Sequence, residues 1–172
     1  PNTQPAKVMA PNVRFVEVAT NRGAVSLEDP VAPDQVIFCA LSAAGNLYCQ
    51  GKAVNDLTLE RGLPRMGLQL INSVHLPTLR RLEMGVSTAC GMAADGELLC
   101  WGSDRFVRGN NHGPTNTHHL PANVPDPDSQ NANFDEVDSL HIKGASNLAR
   151  KNDGTLWAWG DNTFGQLGTG DS

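Results

Sequence analysis

Aromatic side chains are scarce in this chain, at 5% of 172 residues, and charged side chains reach only 18%. Lysine and arginine are scattered along it. A nucleic-acid binder would show a basic stripe, so nucleic acid is not an expected partner. No apolar run approaches the ~18 residues of a membrane-crossing helix, so no membrane insertion is expected. No signal-like segment is visible and the chain opens on Pro1, which is the expectation for a mature or excised piece. Catalytic constellations are missing too: no Ser-His-Asp arrangement, nucleotide-cradling glycine loop or HExxH pattern can be placed. No catalytic residue, metal or cofactor is expected, and the protein reads as a non-enzyme.

What the chain does have is turns. It holds 17 glycines and 11 prolines, with 40% apolar residues and a net charge of −5. That mixture suits strands and turns better than a helical bundle. Three segments align on their glycines: "CALSAAGNLYCQG" (39–51), "CGMAADGELLCWG" (90–102) and "LARKNDGTLWAWG" (148–160). Such a period fits propeller blades or solenoid repeats. Each segment follows a short alternating stretch, "RFVEVAT" (14–20), "LRRLEMG" (79–85) or "FDEVDSL" (134–140), that reads as a half-buried strand. Residues 58–70 have room for one helical turn at most, because Gly62, Pro64 and Gly67 interrupt them. The expected organisation is one all-β domain of three repeats, about 1–57, 58–109 and 110–172.

The cysteine spacing follows from the turn. A three-residue hairpin loop wants a left-handed residue in its last place, and Gly45, Gly96 and Gly154 take that place in the three segments. This register sets Cys39 opposite Cys49 and Cys90 opposite Cys100, within disulfide reach. The third segment has Leu148 and Ala158 there, so both cysteines are lost together. Zinc would want a closer pair such as C-x2-C. Disulfides are therefore favoured over buried free thiols and over a metal site, and they point outside a reducing cytosol.

The end of the third unit, "DGTLWAWGDNTFGQLGTGDS" (153–172), closely resembles the repeat of the regulator of chromosome condensation family. The matching residues are Asp153, Gly154, Trp159, Gly160, Asn162, Gly165, Gln166, Leu167, Gly168 and Gly170. The second unit keeps Asp95, Gly96, Trp101 and Gly102; the first keeps Gly45, Leu47 and Gly51 but has Gln50 in place of Trp. Upstream, "QPAKVMAPNVRFVEVA" (4–19) is similar to the family's entry to a repeat. The resemblance implies blades of a seven-bladed propeller of four-stranded sheets. With only three repeats, it implies either part of a longer protein or copies that complete a ring or stack. Cysteine-bearing versions of the repeat resemble secreted or surface bacterial proteins, which implies an extracellular, cell-surface or periplasmic location.

Trp101, Trp157 and Trp159 are expected to pack between blades. His112, His118 and His119 lie in a polar insert (109–133) expected to be a solvated loop rather than a metal site. In the same long connector Arg105 and Arg108 flank Phe106, a composition found at interface hot spots, unless Phe106 is buried like its counterpart Phe164. These six residues, Arg105, Phe106, Arg108, His112, His118 and His119, are the candidate contact surface. The expected function is a binding or adhesion module for a protein partner or for self-association. The alternative is a structural building block, in a filament or large surface protein, completed by neighbouring copies. The resemblance also admits a guanine-nucleotide exchange factor or a secreted enzyme inhibitor, but paired cysteines in an incomplete ring disfavour the former and no residue identifies a target for the latter.

Overall fold

The computed structural model describes residues 4–5, 12–21, 36–51, 65–85, 88–102, 118–128 and 133–170. They form eleven strands in three antiparallel sheets. The first sheet runs β1 (Phe15–Thr20), β2 (Ile37–Ser42), β3 (Leu47–Gly51), β4 (Arg65–Leu70). The second runs β5 (Leu79–Met84), β6 (Thr88–Ala93), β7 (Leu98–Gly102), β8 (His118–Asn123). The third holds β9 (Val137–Lys143), β10 (Ser146–Lys151) and β11 (Leu156–Gly160). Strands follow one another in sheet order, so every connection within a sheet is a simple up-and-down step. The sheets are offset from the sequence repeats: β4 and β8 lie past the repeat boundaries at 57 and 109.

The three central hairpins share one turn. Gly45, Gly96 and Gly154 donate their N–H groups to Ser42, Ala93 and Lys151, and their φ angles are 80°, 100° and 88°. A left-handed residue there carries the chain from the turn back into the ladder. The resulting registers pair Cys39 with Cys49, Cys90 with Cys100 and Leu148 with Ala158. Both cysteine pairs are disulfide-bonded, with Cα atoms 4.1 Å apart.

Two segments differ from the sequence expectation. Residues 65–70, expected to hold a helical turn at most, form β4, and residues 118–123 of the expected solvated loop form β8. The cause is the outer edge of each hairpin, whose backbone groups need partners that residue pattern does not reveal. Both outer strands pair with a register shift just before the closing glycine, between Cys49 and Gly51 and between Cys100 and Gly102. Strand β9 also starts three residues later than its alternating stretch. Phe134 accepts from the N–H of Leu98 and donates to Val124, holding it at the crossing between sheets, and Glu136 takes a φ of 56°.

Alternation along each hairpin makes two faces. The forward face carries the cysteines; the rear face carries Trp101 and its counterparts. The forward face of the first sheet (Cys39, Leu41, Leu47, Cys49) shares a core with Leu82, Met84, Ala89 and Trp101 of the second. The forward face of the second (Cys90, Met92, Leu98, Cys100) shares another with Phe134, Val137, Leu140 and Ala149, against which Trp157 and Trp159 pack. Each disulfide therefore lies inside a joint between consecutive sheets. The second sheet, covered on both sides, has every described residue of β6 and β7 buried.

Candidate functional site

The surfaces left by this stacking are the two terminal faces. On the rear face of the first sheet, Val18, Phe38 and Leu70 are exposed apolar side chains. Phe15 meets Tyr48 edge-on there, with ring centroids 5.4 Å apart. Val18, Phe38, Ala40, Gln50 and Leu68 line an open hollow of about 410 Å³. The forward face of the third sheet exposes Leu148 and Leu156 around a hollow of about 440 Å³ shared with Ser139, His141 and Arg150. Contiguous apolar surface of this kind marks interaction sites.

The rim between the second and third sheets is pinned from below. Lys151 lies 3.0 Å from Asp126, with both side chains nearly buried, and its Nζ sits 4.4 Å from the Phe134 ring centre and 5.4 Å from that of Trp157. A cation held by a carboxylate and two ring faces ties Asp126 and Phe134 to β10 and β11. Next to it Pro125, Pro127, Phe134, Trp157 and Trp159 line a smaller hollow of about 180 Å³. Thr155 donates its hydroxyl and N–H to Asp153, holding that exposed carboxyl below its ordinary range, and accepts from the Trp157 indole.

The signature "DNTFGQLG" is a self-bonded loop. Asp161 accepts from the N–H and hydroxyl of Thr163 and from the Gln166 amide. Asn162 accepts from the Leu167 N–H, and Gln166 from the Phe164 N–H. These polar residues shape the loop and push Phe164 outward, 90% exposed. Phe164, expected to be buried, is thus exposed, and Phe106 lies outside the described residues.

The first strands of the three sheets carry a row of charge. Glu17 accepts from the N–H of Leu82 and lies 3.7 Å from Arg81. Arg80 donates to the carbonyl of Val137. Burial raises the carboxyl of Glu83, an effect partly offset by His141. These contacts tie neighbouring sheets together. Among the described residues no group of three or more His, Cys, Asp or Glu side chains could hold a metal ion.

Of the residues singled out in the sequence, Arg105, Phe106, Arg108 and His112 lie outside the described residues. His118 and His119 open β8, where His118 pairs with Gly102. Trp101 is fully buried; Trp157 and Trp159 are half-buried against Phe134. Sequence reasoning missed the terminal faces. Their signal was the bulky Phe38 and Leu156 at positions that alternate with core residues, but alternation does not say whether a further sheet follows.

Residues 144–166 match the model of the Regulator of chromosome condensation (RCC1) repeat. The match spans the third hairpin and the start of the loop that follows it. The whole stack of sheets is similar to RCC1-type propellers of known structure. Human WBSCR16 superposes with a TM-score of 0.69 at 19% identity, over 94% of this chain and 38% of that one. Prp20p from Saccharomyces cerevisiae gives 0.59 at 20% identity, over 79% and 33%. The yeast RCC1 (Prp20) crystallised with Kap60 gives 0.57 at 16%, over 92% and 32%. At such identities the likeness shows the fold. The chain spans about a third of the length of these proteins, and its three antiparallel sheets match part of their propellers.

Proposed function

We propose that this chain is a non-enzymatic protein-interaction module, a run of RCC1-type blades working in an oxidising compartment outside the cytoplasm, at the cell surface or in the surrounding medium or periplasm. The observation that carries the reading is the contrast between its joints and its ends. Inner joints are closed by disulfide-bearing apolar faces, whereas both terminal faces expose apolar side chains. Rigid sheets with open apolar faces are built to be covered by protein. Protein binding by a propeller of similar fold supports it: yeast Prp20p binds Gsp1p and histones and forms a complex with Kap60. Two disulfides support the location, since such bonds persist where thiols are not kept reduced. No helix among the described residues is long and apolar enough to cross a membrane.

Fractionation of cells that naturally make the protein, with thiol trapping at lysis, tests this. Oxidised Cys39–Cys49 and Cys90–Cys100 in an extracytoplasmic fraction, crosslinked to protein through the terminal faces, is the expected result. Reduced cysteines in a cytosolic fraction would overturn it.

A further inference from the structure

The first strands of the three sheets share one register, yet the two joints between them are closed differently. Each strand pairs with its hairpin through one irregular step and then residue for residue. Glu17, Arg81 and Ser139 hold one position, Val18, Leu82 and Leu140 the next, and Ala19, Glu83 and His141 the one after. In the first joint Glu17 reaches across to the second sheet. Its carboxylate accepts from the Leu82 N–H at 2.9 Å and lies 3.7 Å from Arg81. In the second joint the place of Glu17 is taken by Arg81, whose guanidinium has no acceptor to offer the next sheet. A hollow of about 220 Å³ stands there, lined by Arg81, Glu83, Met92, Ser139, Leu140 and His141.

The donor that matches Leu82 is the Leu140 N–H. Lys151 donates to Thr155 across the third hairpin, so Ala149, two residues earlier on β10, also bonds toward β11. Leu140, opposite Ala149, therefore turns its N–H away from β10 and toward the second sheet. Leu140 is 4% exposed, and among the described residues nothing does for it what Glu17 does for Leu82. A buried N–H in that state costs free energy that an acceptor recovers. Ser139 adds a hydroxyl in the place that Arg81 holds beside Glu17, and Arg81 adds a guanidinium from the other wall. Glu83 is the one acidic side chain on the hollow, and His141 and Arg81 counter its charge.

We propose that this hollow binds a carboxylate on a short apolar stem, which takes in the second joint the place that the Glu17 side chain takes in the first. The carboxylate accepts from the Leu140 N–H and the Ser139 hydroxyl and pairs with Arg81, a charge-assisted set of donors. Its stem lies against Leu140 and Met92, the apolar part of the lining. Such a group comes either from a free small acid or from a glutamate side chain of a bound protein. The second source rests on the interaction-module reading; the first does not.

Propionate titrated into the oxidised chain at constant ionic strength, with backbone amides followed by NMR, tests it. The Leu140 amide is expected to shift to saturation, while the Leu82 amide, already bonded to Glu17, stays in place. Ser139→Ala should weaken binding about tenfold, the loss of one hydrogen bond to a charged group. Glu83→Gln takes the negative charge off the hollow and should strengthen binding. Circular dichroism checks that both variants fold. A Gly-Glu-Gly peptide blocked at both ends separates the two sources: tighter binding than propionate points to a partner's side chain, weaker binding to a free acid. A Leu140 amide that does not move overturns the proposal, as does one that shifts equally with propylammonium chloride, or a Ser139→Ala chain that binds as well as wild type. Oxidation state, cell fraction and crosslinking are read without propionate, so such a result leaves the interaction-module reading standing.

Discussion

Two hairpins of this chain have the same turn and nearly the same ending, yet live in different surroundings. In β6–β7 every residue is buried. In β10–β11, which ends on the same Trp-Gly, only Asn147 and Ala149 are buried. Among the described residues the second blade lies between two sheets and the third has a sheet on one side only. Burial here is a property of place in the stack. The disulfides follow the same rule: each sits on a face that another sheet of the chain covers, whereas Leu148 and Ala158 lie on the open face.

The sharpest way to break this comparison is to truncate the equivalent tryptophans. Trp101→Ala removes a fully buried ring from the joint between the first two sheets and should cost about 3–5 kcal/mol. Trp159→Ala removes a half-buried ring and should cost about 1–2 kcal/mol. Urea denaturation of both variants checks the ranking; equal losses would show that the two blades are equally supported.

The cysteine pairs come next. Replacing Cys90 and Cys100 together with Ala should lower stability by roughly 2–3 kcal/mol, the chain-entropy value for so short a loop. Conversely, Leu148→Cys with Ala158→Cys places two thiols at directly opposed positions of the third hairpin. Non-reducing peptide mapping should find that pair bonded, and the melting temperature should rise by less than the native pairs contribute.

A smaller effect separates the turn glycines. Gly154→Ala meets no atom within 4 Å, so its cost is the left-handed backbone alone, about 1 kcal/mol. At Gly45 the added methyl would also stand 2.9 Å from the Leu79 carbonyl oxygen and the Thr78 Cβ. Thermal melts of the two variants should therefore rank Gly45→Ala well below Gly154→Ala.

The smallest expected effect is on the charged row of the first strands. Burial raises the Glu83 pKa in the folded protein, so the unfolded chain ionises first as pH rises. The charge thus costs stability above the folded pKa and nothing in strong acid. Glu83→Gln should melt slightly higher than wild type at neutral pH, with the difference vanishing on acidification.

Much of the blade was legible in the residues alone. The glycine in the last place of each loop determined the hairpin register, and the register brought the cysteines together, because left-handed backbone is cheap only for glycine. The Asn-to-Gln motif announced the repeat because its side chains bond their own loop, a local device. Strands β4 and β8 were not legible: their residues are irregular, and they form because a neighbouring edge offers backbone partners. Nor could the sequence tell that Leu156 would be exposed and Leu98 buried. Local turn chemistry is written residue by residue, whereas which face meets another sheet depends on how whole sheets stack, a property no single repeat contains.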